Sequence, residues 1–310
     1  MAAAVETTPA STSDGGSPAT WQRLKPFVLE GFVVSNYAVL SIDIWLAHSI
    51  NRFRHPAEWI PLWFSIIAAL LLATCFFFEI GKRHRSTTTP FGSGVARIAG
   101  LLVGGVSIAV GVAGLFFHLQ SQFFLRFTIA SLVYTAPFVA PLAYCGLGFL
   151  LLMGRMVPNR CAEWGQWVVF FALGGFAGNF VLTLTDHAQN GFFQRAEWIP
   201  VVSSALGVGF LLLALFEQEN LFWGTCFAVM VLQAIVGVTG FALHLSANVN
   251  GLASSLYENF IHGAPLLAPL LFVNLALLAV IGLFDRWHHS SRYPVWSPSA
   301  CPSGAGLPGS

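Results

Sequence analysis

Eight apolar runs alternate with short polar connections along the chain, at 27–50, 59–78, 95–117, 127–153, 167–187, 198–216, 221–243 and 260–284. A helix needs about 20 apolar residues to cross the hydrocarbon core of a bilayer. Lipid satisfies no backbone N–H or C=O, so each run is expected to be a helix with internal hydrogen bonds. The alternating polarity of outer-membrane barrel strands is absent. The pattern predicts an all-α polytopic membrane protein with about eight transmembrane helices.

The pattern also repeats. "HSINRFRHPAEWIP" at 48–61 matches "HAQNGFFQRAEWIP" at 187–200 without a gap, 139 residues later. "VGVAGLFFHL" at 110–119 pairs with "VGVTGFALHL" at 236–245, and "APFVAPL" at 136–142 with "APLLAPL" at 264–270. The main length difference falls in one connection, where "GKRHRSTTTPFGSG" stands opposite little more than "QEN". This organisation predicts a tail over 1–26, a four-helix repeat over 27–153, a linker over 154–164, a second repeat over 165–287 and a tail over 288–310. An even number of spans per copy gives both copies one orientation. They are then expected to be related by a pseudo-two-fold axis along the membrane normal.

Composition and charge sharpen this picture. Only 9% of residues are charged and 56% are hydrophobic, against about 25% charged in soluble domains. The formal net charge of +1 gives no electrostatic case for nucleic acid. Ten Lys and Arg residues fall on the side that carries both termini, among them Lys82, Arg155 and Arg286, and four on the other: Arg52, Arg54, Arg126 and Arg195. By the positive-inside rule both termini are expected to be cytoplasmic, and the connections after spans 1, 3, 5 and 7 to face outward. The tails are small, polar and proline-containing, which reads as disorder. The five cysteines include no C-x-x-C pair, so no disulfide framework is expected.

What both copies retain has a structural reading and a functional one. Glu58 and Glu197 suit a helix N-terminus, Trp59 and Trp198 an aromatic belt, and Pro61 and Pro200 a first helical turn. The glutamates can equally support an adjacent site. Gly111, Gly114 and His118 share one helix face, as do Gly237, Gly240 and His244, so these histidines should point into the bundle. His48 and His187 end spans 1 and 5, with Asn51 and Asn190 as caps or hydrogen-bonding neighbours. Asp186 belongs to a polar wedge in span 5 with Asn179 and Thr183. Pro137, Pro141, Pro265 and Pro269 should bend spans 4 and 8 and free carbonyls that need partners. Tyr134 and His262 occupy equivalent positions just before these prolines.

Four histidines, His48, His118, His187 and His244, thus end the odd-numbered spans at one depth near the outer face. Neutral imidazole ligates zinc, copper, iron and nickel, and bis-imidazole pairs ligate haem iron. Asn51, Asn190, Asp186, Glu58, Glu197, Tyr134 and His262 are the candidates to hold the other ring nitrogens. No H-E-x-x-H, no C-x-x-C-H and no clustered histidine box is present. Three functions follow. One is a redox or metal protein using copper, iron or haem, standing alone or as a subunit of a larger membrane complex. The second is a pseudo-symmetric transporter. The third is a non-catalytic scaffold docking an extracytoplasmic partner.

Overall fold

The computed structural model describes residues 18–82, 91–92, 94–161, 163–217 and 219–290. The expected tail segments 1–17 and 291–310 lie outside these residues, as do Arg83, Arg85 and Arg292. Among the described residues the structure is helical and holds no strand. The helices are α1 (Pro18–Ser49), α2 (Trp59–Lys82), α3 (Gly94–Gln120), α4 (Phe123–Arg126), α5 (Ile129–Val133), α6 (Leu142–Met156), α7 (Glu163–Gln189), α8 (Trp198–Ala214), α9 (Asn220–Val249), α10 (Leu256–His262) and α11 (Leu270–Ser290). Seven of them are long and apolar enough to cross a membrane, and α6 is a shorter apolar helix of 15 residues. The chain is an integral membrane protein.

Several boundaries depart from the sequence reading: α9 runs on to Val249, and α11 to Ser290, inside the segment expected to be the second tail. Helix α1 begins at Pro18, inside the segment expected to be a tail. Proline suits a first helical turn, and Trp21 anchors the extension by donating its indole N–H to Asp285 at 2.8 Å. The larger departure concerns spans 4 and 8, which are broken rather than bent. Residues 134–141 and 263–269 leave the helix between α5 and α6 and between α10 and α11. The cause is the proline pairs Pro137/Pro141 and Pro265/Pro269, which lack amide donors and push the preceding residue out of helical geometry. Tight turns carry the chain back into the helix, with Leu142 N donating to Val139 O at 2.9 Å and Leu270 N to Leu267 O at 3.0 Å.

Packing follows the membrane rule that small residues admit close helix contact. A Cβ at Gly111 would stand 2.8 Å from Pro141 O, and one at Gly237 2.8 Å from Pro269 O. These glycines seat α3 on α6 and α9 on α11. The core is aromatic, with Tyr37, Trp164, Phe176, Trp223 and Phe272 buried. At the end of the bundle opposite the AEWIP turns, α1 is fixed by two buried ion pairs. Lys25 meets Asp285 of α11 at 2.7 Å, and Glu30 meets Arg155 of α6 at 2.7 Å. Removing one partner of such a pair leaves an uncompensated charge in low dielectric. Midway along the bundle, Asn36 of α1 and Asn274 of α11 exchange amide hydrogen bonds. Cys161, buried in the connection before α7, is disulfide-bonded, which qualifies the expectation for the cysteines; Cys75, Cys145 and Cys226 are free thiols.

Candidate functional site: two histidine pairs

The helix ends bearing His48 and His187 are built alike. At the end of α1, Phe53 N donates to His48 O at 3.2 Å and Arg52 N to Ser49 O at 3.0 Å. At the end of α7, Phe192 N donates to His187 O at 3.2 Å and Gly191 N to Ala188 O at 3.0 Å. This crossed pair of bonds is the Schellman C-terminal motif, with the histidine three positions before the cap. Asn51 and Asn190 fall at the cap position, and each backbone N–H also donates to the histidine carbonyl.

The next residue is left-handed, Arg52 at φ 54 and Gly191 at φ 71, and so is the phenylalanine after it, Phe53 at φ 49 and Phe192 at φ 51. A bulky side chain in that region is strained, by about 1–3 kcal/mol. The conformation lays each phenylalanine ring against its histidine, with centroids 5.9 and 6.2 Å apart. Each phenylalanine also stacks on the tryptophan that opens the following helix. Phe53 lies 4.3 Å from Trp59, and Phe192 lies 4.1 Å from Trp198.

The single 3-10 turns Pro56–Glu58 and Arg195–Glu197 then aim the glutamates back at these rings. Glu58 Oε2 stands 3.8 Å from His48 Nδ1, and Glu197 Oε2 stands 3.8 Å from His187 Nδ1. That is beyond hydrogen-bond length. Both carboxylate oxygens are buried and accept no hydrogen bond. Each faces an imidazole it does not reach.

His118 and His244 are held differently. His118 Nδ1 lies 2.8 Å from Pro137 O, and His244 Nδ1 lies 2.8 Å from Pro265 O. A carbonyl only accepts, so each ring donates through Nδ1, and in the neutral imidazole the lone pair stands on Nε2. The carbonyls freed by the broken spans are thus the partners that orient these histidines. Around His118 the end of α3 is bound to the broken segment. Thr135 Oγ1 donates to His118 O at 2.6 Å, and Ala136 N donates to Ser121 Oγ at 3.0 Å. In the second half Asn248 does the same work, donating to Ala264 O and accepting from Ala264 N, both at 2.9 Å.

The four histidines form two pairs rather than one set. The rings of His48 and His118 have centroids 6.3 Å apart. His187 on α7 and His244 on α9 hold the matching helix-end positions. All four side chains are half-buried at the same end of the bundle. Each Nδ1 is turned toward an oxygen, and among the described residues no hydrogen bond engages any of the four Nε2 atoms. Among the described residues no group of three or more His, Cys, Asp and Glu side chains is arranged to hold a metal ion.

Other candidates fall outside the pairs. The Asn51 and Asn190 side chains are exposed, so these residues serve the histidines through backbone alone. Tyr134 caps α5 with its side chain 64% exposed. His262 is exposed and pairs within its own helix with Glu258 at 3.3 Å. Asp186 is half-buried beside His187 in sequence, and no bond joins its carboxylate to that ring. Phe53 and Phe192 belong to the site although composition and spacing did not single them out. Their only signal was the gap-free match of the two stretches. The chain matches no protein-family model, no curated protein and no solved structure.

Proposed function

We propose that this integral membrane protein binds a transition-metal centre at two equivalent sites, one per half, each offering two imidazoles, and that haem iron is the occupant. The observation that carries the reading is the commitment of Nδ1. A ligating histidine almost always donates its other ring N–H to a carbonyl or carboxylate, which fixes the tautomer and the ring. His118 and His244 already do so, and His48 and His187 each face a glutamate oxygen at 3.8 Å, short of that bond. The ligand count favours haem over a bare ion. A porphyrin supplies four nitrogens and asks the protein for two axial ligands. Two imidazoles on opposite sides of one metal hold their centroids roughly 6 Å apart, given metal–nitrogen bonds of about 2 Å, and His48 and His118 stand at 6.3 Å.

On this reading the chain is two copies of one four-span unit about an axis along the membrane normal. The Lys and Arg distribution supports cytoplasmic termini and an outward-facing position for both sites. The role is redox, alone or within a larger complex. The test is the optical spectrum and the Fe, Cu and Zn content of the purified full chain, beside the chain lacking His48, His118, His187 and His244. A reducible Soret band with about two irons per chain, lost in the variant, is the expected result. A folded wild-type chain without transition metal would overturn it.

One observation favours a second reading, a transporter. Interrupted spans at corresponding positions of two halves mark the substrate site in many repeat-built transporters, and α5–α6 and α10–α11 are interrupted at corresponding places. Substrate flux in proteoliposomes, unaffected by removal of the histidines, would support it.

A further inference from the structure

Each broken segment reaches out of its own half and touches the helix that carries the other half's histidine. In the first half, Val133, which ends α5, accepts a hydrogen bond at 2.7 Å from Nε2 of Gln189, two residues beyond His187 on α7. Four residues further along that segment, Pro137 accepts from His118. Between them Thr135, 3% exposed, is tied to the His118 carbonyl. In the second half, Tyr257 on α10 packs against Trp45 of α1, three residues before His48, with ring centroids 6.1 Å apart. Asn259 of the same helix ties it to the end of α9 through Gly251 and Ala253. The segment then runs on to Pro265, which accepts from His244.

We infer that the two histidine pairs are coupled sites: occupancy of one changes the affinity of the other, through the α5 and α10 segments together. This rests on the proposal that the pairs bind haem. Allostery requires a contact that differs between the empty and occupied states. The Nδ1–H bonds to Pro137 and Pro265 supply it. An imidazole that gives its Nε2 lone pair to a metal becomes a stronger donor through Nδ1, so ligation tightens its hold on the proline carbonyl. The carbonyl belongs to a short segment bonded at both ends, so a shift at Pro137 is also felt at Val133 and hence at Gln189. Packed segments of this kind switch between arrangements rather than stretch. Binding linkage is reciprocal, so each site must affect the other by the same factor.

The test is a hemin titration of the purified full chain in detergent. Three variants accompany it: His48→Ala/His118→Ala, His187→Ala/His244→Ala, and Gln189→Leu/Tyr257→Ala with all four histidines intact. The first two give the affinity of each site alone. Independent sites would make the wild-type isotherm the sum of those two curves. The expected result is a wild-type isotherm that departs from that sum by at least about fivefold in one step. The third variant is expected to bind two hemins and to return to the sum. Gln189 and Tyr257 are exposed, so their loss leaves the core packed. A wild-type curve equal to the sum overturns the coupling while the haem reading stands. A departure that persists in the third variant overturns the assigned route. Absence of hemin binding in the wild type overturns both proposals.

Discussion

His244 donates through Nδ1 to the carbonyl oxygen of Pro265 at 2.8 Å, and among the described residues that oxygen has no other donor. The corresponding carbonyl of Pro137 also accepts from Ala140 N at 3.2 Å. The two histidine contacts therefore predict different costs for one substitution. Both contacts are exposed, so His244→Ala, which removes that carbonyl's donor, should cost about 1 kcal/mol, and His118→Ala, which removes one of two bonds, less. Thermal unfolding of both variants in the same detergent checks the order.

The Schellman turns give a second asymmetry. Arg52 and Gly191 hold the same left-handed position, where a side chain other than glycine is strained. Nothing lies within 4 Å of a Cβ built at Gly191. Gly191→Ala should therefore destabilise through backbone strain alone, by about 1 kcal/mol, and Arg52→Gly should stabilise by up to about 1 kcal/mol. Unfolding midpoints of the two single variants and the double variant measure both terms.

Steric fit, by contrast, governs Gly111 and Gly237. An alanine Cβ at either would meet a proline carbonyl at 2.8 Å, and backbone gives way less readily than a side chain. Each substitution should cost about 1–3 kcal/mol or more and push the broken segment away from its histidine. Gly105 sits on the same α3 with open space around its Cβ, so Gly105→Ala should be neutral or mildly stabilising. Yield of monodisperse protein and thermal midpoint distinguish the three.

At the far end, Lys25 and Asp285 are both fully buried. Lys25→Met removes the ammonium that meets the Asp285 carboxylate at 2.7 Å and should cost about 3–5 kcal/mol. The double variant Lys25→Met/Asp285→Leu should recover a large part of that loss, because the desolvation penalty goes with the charges. Equal stability of the single and double variants would sink this account.

Hydropathy located the membrane helices because lipid imposes one rule on every span. It could not show where spans 4 and 8 leave the helix, because the runs at 127–153 and 260–284 stay apolar through the break. The prolines were visible, but the length of unwound chain depends on what satisfies the freed groups. Those partners are His118 and His244, distant along the chain. Spacing also could not tell which polar residues turn toward the histidines. Tyr134 and His262 align, and both side chains are exposed and apart from the histidine pairs. The pairing of the histidines depends on helix packing, which spacing along one chain does not encode. Phe53 and Phe192 escaped notice because a left-handed phenylalanine runs against local preference and is held by the stack on Trp59 and Trp198.

The shortness of α6 has a consequence for the surrounding lipid. Its 15 residues rise about 22 Å, against a hydrocarbon core of about 30 Å. A span this short is accommodated by local thinning of the bilayer, by snorkelling of flanking side chains or by association with a neighbouring helix. Acyl-chain length then becomes a control on this protein, with short-chain lipids matching its profile and long-chain lipids paying a mismatch penalty where α6 meets the membrane.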